Sequence, residues 1–340
     1  MQLLLTTNAG LEDLALQELQ TLGVATQVHS ERGRLTVETD VSLDEVRTLR
    51  SIHHVLEPLQ QWAGSEWTLD QVTACVQELR VPALHDKPAF RVTALRSGPR
   101  FAGTQDIAAA VGAVLVERYA APVSLRNPAV NVRVEVTPTQ LTASLQHTER
   151  GLHLRLKRPY NQRVSLRTNV AWAMLRLARL PRDGVLLDPF CGGGTVLLEA
   201  AGCRPDLTLM GSDIRLLAVQ GCQENLTANA ADATLAHRDA LCLDEHHAAG
   251  SVDAVVTNPP FGLQLGKGLS FFPFYSELLA QLDHVLSADG RVVLLARQRG
   301  RFNAAVQRHG AFTVRHVRVV DMGGAHPGLF VLARKTPKPA

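Results

Sequence analysis

Lysine is scarce in this 340-residue chain, and so are long apolar runs, paired cysteines and biased tracts. No apolar run approaches the roughly 20 residues that a membrane-spanning helix needs. The first residues, Met1-Gln2-Leu3-Leu4-Leu5, lack the basic start and small-residue cleavage site of a secretory signal. Cys75, Cys191, Cys203, Cys222 and Cys242 are scattered without a C-x-x-C pair, which fits reduced thiols better than a disulfide frame or a zinc site. There is no internal repeat, and the one low-complexity stretch is the tail Lys335-Thr336-Pro337-Lys338-Pro339, expected to be disordered. These absences predict a cytoplasmic protein with no membrane partner and no metal.

What is present can fill more than one core: 46% of residues are hydrophobic, and the length suggests two or three domains. Net charge is +3 but uneven, with an acidic excess over residues 1–150 and a basic one over residues 151–340. Two stretches free of acids concentrate the basic residues. Gly151 to Val170 holds Arg155, Lys157, Arg158, Arg163 and Arg167, and Arg291 to Val320 holds Arg291, Arg297, Arg299, Arg301, Arg308, Arg315 and Arg318. Such clusters fit a polyanion footprint, and a solvated face is the competing reading.

The first 62 residues alternate in the order β-α-β-β-α-β, a ferredoxin-like pattern, with a hairpin turning at Glu31-Arg32-Gly33 and Ser42 as a helix cap. Residues 63–150 form a second unit. Thr68 and Thr104 are expected to cap its helices, Phe90 to Leu95 is a strand, and a pair of strands joins at Thr137-Pro138-Thr139-Gln140. Residues 151–167 are a basic linker in which Arg158-Pro159-Tyr160 opposes helix. From a helix starting near Thr168, whose N-terminus can approach a ligand, residues 168–340 alternate strands and helices. Seven strands predict a doubly wound α/β sheet, with no helix between the last two.

The chain is organised around Val185 to Glu199, V-L-L-D-P-F-C-G-G-G-T-V-L-L-E. A buried strand ends at Asp188, Cys191-Gly192-Gly193-Gly194-Thr195 forms a tight loop, and an apolar helix follows. Open α/β sheets hold nucleoside ligands at such strand ends. The third glycine of the dinucleotide fingerprint is missing, which weakens a hydride-transfer reading. Three further strand ends are expected at the same edge. Asp213 is placed to bind ribose hydroxyls, Asp239-Ala240 to receive an adenine amino group, and Asn258-Pro259-Pro260-Phe261 closes the fourth.

The last of these is the most specific. Two prolines remove two backbone donors and leave carbonyls as acceptors. The Asn258 oxygen beside the Pro259 carbonyl can receive both hydrogens of a planar exocyclic amine, which aims the nitrogen lone pair at a methyl donor. Phe261 offers a face for a base taken out of its stack. Gly262 to Gly268 imitates a phosphate loop with the wrong spacing, and reads instead as a flap carrying Lys267. His53-His54 and His246-His247 read as residues of surface turns.

D-P-F-C-G-G-G-T with N-P-P-F-G resembles the Rossmann-fold amino-methyltransferases that use S-adenosylmethionine. The element order over residues 45–150 and F-R-V-T-A-L-R-S-G-P-R-F resemble a THUMP domain, a module that recognises the acceptor end of tRNA. Together they resemble the THUMP-containing tRNA guanine-N2 methyltransferases. N-P-P-F-G-L-Q-L-G and V-V-D-M-G-G-A-H-P-G-L-F-V-L are most similar to the branch acting on guanine 6.

The resemblance implies a cofactor site of Thr168, Asp188, Cys191, Gly192, Gly193, Gly194, Thr195, Asp213, Asp239, Ala240 and Asn258. It implies a catalytic set of Asn258, Pro259 and Phe261, where Phe261 replaces the tyrosine or histidine of many relatives. Arg91, Arg96, Arg100 and Arg126 become phosphate-contact candidates, with the basic linker and late arginines on the RNA backbone of a monomeric enzyme. Guanine 10 of tRNA or a ribosomal RNA guanine would use the same motifs. An idle RNA-binding or chaperone protein is the alternative outside catalysis.

Overall fold

The computed structural model describes residues 1–23, 27–98, 101–162, 165–261, 268 and 270–335. The chain divides into two compact units, Met1–Thr6 with Leu16–Leu152, and Thr7–Ala15 with His153–Ala340.

In the first unit the hydrophobic alternation of Q-L-L-L-T makes β1 (Gln2–Thr6), which pairs antiparallel with β3 (Arg34–Glu38) and β4 (His54–Ala63). Helix α1 (Glu12–Thr21) lies between β1 and β2 (Gln27–Glu31), and β2 forms the expected hairpin with β3. Ser42 caps α2 (Leu43–Val46) in a reciprocal box with Glu45. Thr68 does the same with Gln71 for α3 (Leu69–Gln77). The expected cap at Thr104 is displaced by one residue. Gly103 is the N-cap of α4 (Thr104–Tyr119), and the Asp106 carboxylate accepts its backbone N–H at 3.0 Å, which replaces the side chain glycine lacks.

Strand β5 (Phe90–Arg96) runs parallel to β6 (Val130–Thr137), which forms a hairpin with β7 (Gln140–Gln146). Helices α3 and α4 pack Val72, Val76, Ile107, Val111 and Leu115 into the core of this part. The two sequence modules are not separate sheets. β4 pairs with β7, giving one seven-stranded sheet in the order β2-β3-β1-β4-β7-β6-β5. The β4–β7 register slips between Pro58 and Gln60, where proline cannot donate to the ladder. His54 opens β4 and bonds the Thr148 hydroxyl through Nδ1 at 2.8 Å, so it does not lie on a turn as expected.

The second unit alternates as expected. Helix α5 (Thr168–Ala178) precedes β8 (Val185–Asp188), α6 (Thr195–Cys203), β9 (Thr208–Asp213), α7 (Leu216–Ala228) and β10 (Thr234–His237). Then follow β11 (Val252–Thr257), α8 (Phe271–Val285), β12 (Leu286–Ala296), α9 (Arg299–His309), β13 (Phe312–Val319) and β14 (Gly328–Arg334). The sheet order is β10-β9-β8-β11-β12-β14-β13. The first five strands are parallel, and β14 is antiparallel to both its neighbours.

Alternate strand residues feed two cores. Leu186, Val256, Val293 and Val331 face α5, α6 and α7, whereas Leu187, Val255, Val292 and Leu332 face α8 and α9. Burial on both faces explains the nearly unbroken apolar runs in these strands. Residues 7–15 join this unit: Leu11 and Leu14 pack in its first core, Asn8 accepts from Asn169 at 2.6 Å, and Asp13 pairs with Arg318. Among the described residues, no helix is long and apolar enough to cross a membrane.

Candidate active site

Because β10, β9, β8 and β11 are parallel neighbours, their C-terminal ends form one edge. That edge brings together Asp188, Asp213, Asp239 and Asn258, the four positions the sequence singled out. The glycine loop leaves β8 with Gly192 at φ +51° and Gly194 at φ +80°, a region that favours residues without Cβ. Its amides are already organised. Cys191 N–H donates to Ser212 O at 2.9 Å, Gly192 N–H to the Asp213 carboxylate at 3.1 Å and Gly194 N–H to Cys191 O at 2.7 Å. Asp213 also accepts from Arg215 N–H at 2.9 Å, and a carboxylate has lone pairs to spare for hydroxyls. Beside it Ile214 is 60% exposed and presents an apolar face suited to a flat base. Asp239 closes its own turn by accepting from Leu241 N–H at 3.0 Å, with Ala240 buried behind it.

Asp188 is almost wholly buried, and its carboxyl accepts from Thr257 Oγ1 at 2.6 Å and Phe190 N–H at 3.2 Å. Burial pushes its pKa up to about 7, a rise that the Thr257 and Phe190 bonds oppose and the Asp213 charge reinforces. Next to Thr257, Asn258 holds a buried Oδ1 that has no hydrogen-bond partner among the described residues, and Pro259 is buried. An unpaired buried amide oxygen costs free energy unless something donates to it, so Asn258 Oδ1 is available to an incoming N–H. The Phe261 ring packs half-buried against the α5-side core. The Cys191 thiol is held protonated, through its contact with Cys222 first and then burial, which disfavours its use as a nucleophile.

Several residues that shape the site were not evident in the sequence. Tyr160 N–H donates to Asn225 Oδ1 at 3.0 Å, while Asn225 Nδ2 donates to Tyr160 O at 2.8 Å and Gly193 O at 2.9 Å. One amide thus fastens the linker to the glycine loop. Gly221 makes room for this, since a Cβ there would lie 2.1 Å from the Tyr160 ring. Gln162 bonds the Tyr160 hydroxyl, and Ser165 Oγ lies 3.2 Å from Thr195 Oγ1. Thr168 is fully buried and donates to His153 O at 2.9 Å.

Two of the linker arginines are engaged within the protein. Arg155 forms a two-pronged pair with buried Glu199, and Arg158 donates to Ser165 Oγ and Leu166 O. In the first unit Arg91 reaches Glu149 O and Arg96 reaches Gly98 O. Arg100, Arg163 and the flap residues from Gly262 to Lys267 lie outside the described residues.

Residues 155–327 match the RMKL-like methyltransferase domain family, and residues 66–146 match the THUMP domain. The tRNA (guanine(6)-N2)-methyltransferase of Thermus thermophilus is 34% identical, over 97% of this chain and 98% of its own. The tRNA (guanine(6)-N2)-methyltransferase of Archaeoglobus fulgidus is 25% identical, over 94% and 88%. Among solved structures, TrmN from Thermus thermophilus superposes with a TM-score of 0.80 at 32% identity, covering 98% of this chain and 99% of that one.

Proposed function

The chain belongs to the RMKL-like methyltransferases that carry a THUMP domain, and on that premise we propose that it methylates the exocyclic N2 of guanine 6 in the acceptor stem of tRNA. The observation that carries the reading is the buried Oδ1 of Asn258, without a partner among the described residues, at the edge where the glycine loop and Asp213 meet. The target nucleoside comes from the similarity to tRNA (guanine(6)-N2)-methyltransferases over nearly the full chain.

The site fits S-adenosylmethionine: Gly192 to Thr195 would hold its methionine end, Asp213 the ribose, and Asp239 with Ala240 the adenine. When bound, the cofactor supplies a methyl group on a sulfonium that leaves as a neutral thioether. Asn258 Oδ1 and the Pro259 carbonyl would each accept one amine hydrogen, drawing the nitrogen out of conjugation and fixing its lone pair in line with that methyl. As the N–C bond forms and the C–S bond breaks the nitrogen becomes cationic, and one of its two hydrogens then leaves as a proton to solvent. Fixed acceptors and orientation supply the acceleration. Phe261 would leave its half-buried place to stack on the extruded guanine. The thiol of Cys191 takes no covalent part, in keeping with nitrogen rather than carbon as the acceptor. Tyr160, Asn225 and Gly221 act as positioning residues for the loop.

In this reading the THUMP domain holds the 3′ end and acceptor stem, and the enzyme acts as a cytoplasmic monomer. We place the domains at residues 1–62, 63–150, 151–167 and 168–340, with β4 and β7 joining the first two in one sheet and residues 7–15 grouping with the last.

The test is methyl transfer from labelled cofactor to total tRNA, followed by nucleoside analysis and site mapping. Label in N2-methylguanosine at position 6 is expected. Label in another nucleoside, or none, overturns the reading.

A further inference from the structure

The basic stretch from Arg291 to Val320 is continuous in sequence but divided by the fold. Helix α9 carries Arg299, Arg301 and Arg308 on the α8 side of the sheet, and Arg308 lies over the Phe272 ring. Arg291 and Arg315 instead line a cleft of about 1000 Å³ on the α5 side, together with Arg179 from the C-terminus of α5. Helix α5 covers Val293, Leu295, Leu329 and Val331 on this face and ends at Ala178, so the sheet beyond it is open. The floor there is Ala311 and Ala333, residues too short to keep a large ligand away.

The charges in the cleft are unbalanced. Arg318 and Arg334 also line it, but they pair with Asp13 and Asp283. Among the described residues, no ion pair engages Arg179, Arg291 or Arg315, and the acid in the lining is the exposed Asp289. Burial, then the charges of Arg179 and Arg315, lower the pKa of the half-buried Arg291. Arginines that lower one another's proton affinity repel in the free protein, and an anion entering among them relieves that repulsion.

We propose that this cleft is a second binding surface for the phosphodiester backbone of the substrate RNA; the proposal rests on the tRNA reading above. Arg179, Arg291 and Arg315 come from a helix end and two strands, and with Arg318, Arg334 and Lys335 they line a cleft of about 1000 Å³, a cation-rich surface larger than a single phosphate requires. Among the described residues no Phe, Tyr or Trp lines it and His316 is the ring present, so its contacts run to backbone phosphates more than to stacked bases. Arg291 is level with Ala254, and Thr257 lies three residues further toward the catalytic edge. The cleft lies at the C-terminal end of α5 and the catalytic edge at its N-terminal end, 11 residues or about 16 Å away, so one RNA occupying both would run past the length of α5.

Arg179 and Arg315 are exposed, so R179E/R315E tests the cleft without disturbing the core, and R291Q gives a second, independent variant. Binding of total tRNA by the full-length protein is read by fluorescence anisotropy from low to moderate salt. Tenfold or greater weakening by R179E/R315E is expected, with the slope of log affinity against log salt reduced by about two. R291Q should weaken binding less and reduce the slope by about one. Cofactor affinity should stay unchanged in both, and the KM for tRNA should rise while kcat holds. Unchanged tRNA affinity and slope in both variants would overturn the proposal and leave the cleft to an acidic protein partner. Absence of methyl transfer by wild type, with tRNA binding intact, would sink the tRNA reading alone. Absence of tRNA binding by wild type would sink both.

Discussion

Thr257 Oγ1 donates a 2.6 Å hydrogen bond to Asp188 Oδ1, joining residues 69 positions apart at the ends of two neighbouring parallel strands. Asp188 opens the glycine loop and Thr257 immediately precedes Asn258, so this bond ties the cofactor loop to the amine-accepting turn. Thr257→Val keeps the shape and removes the donor. A stability loss of about 1–3 kcal/mol is expected in urea unfolding, because the buried carboxyl loses a partner. Turnover should fall more than cofactor affinity. A variant with wild-type stability and kcat would show that the bond does not set the spacing of the two motifs.

The Asn258 side chain should matter to the reaction and little to the cofactor. Asn258→Ala is expected to leave calorimetric S-adenosylmethionine affinity within about twofold and to reduce kcat by a factor of about 10²–10³, the range for removing one oriented polar group. Robust methylation by this variant would remove the amine-orienting role.

Asp188 gives the fold a pH dependence. Its pKa is raised from 3.8 to about 7, so the folded state holds a proton that the unfolded chain releases. Its contribution to stability is therefore greatest below about pH 4, falls as pH rises toward 7, and is flat above. Asp188→Asn retains an oxygen for Thr257 and Phe190 and cannot ionise. Between pH 5 and 7 the wild type should lose stability relative to this variant in urea midpoints. Parallel curves would mean that the carboxyl is ionised throughout.

The Tyr160–Asn225 clasp should be required for an ordered glycine loop. Asn225→Ala breaks three hydrogen bonds and should cost about 2–4 kcal/mol. Gly221→Ala forces the Tyr160 ring to move and should cost about 1–3 kcal/mol. In both, cofactor affinity should drop at least severalfold by calorimetry. If affinity were unchanged while stability fell, the clasp would only support the fold.

Much of this architecture was legible from local signals. Hydrophobic alternation and glycine or proline punctuation placed the strands of the second unit, because each signal lies within the element it defines. The four strand-end motifs were legible for the same reason, since a strand, its terminal acid and its loop are contiguous. Long-range pairing was not. Nothing local to Pro58 or Gln140 states that β4 pairs with β7, or that residues 7–15 belong with the second unit. Tyr160 and Asn225 are 65 positions apart and carry no motif, and their contact exists only once α7 presents Gly221 to the linker. The arginines show the difference most clearly. Their number and sign are fixed by the chain, whereas strand alternation and the end of α5 decide which are paired, which lie over α8 and which line the open cleft.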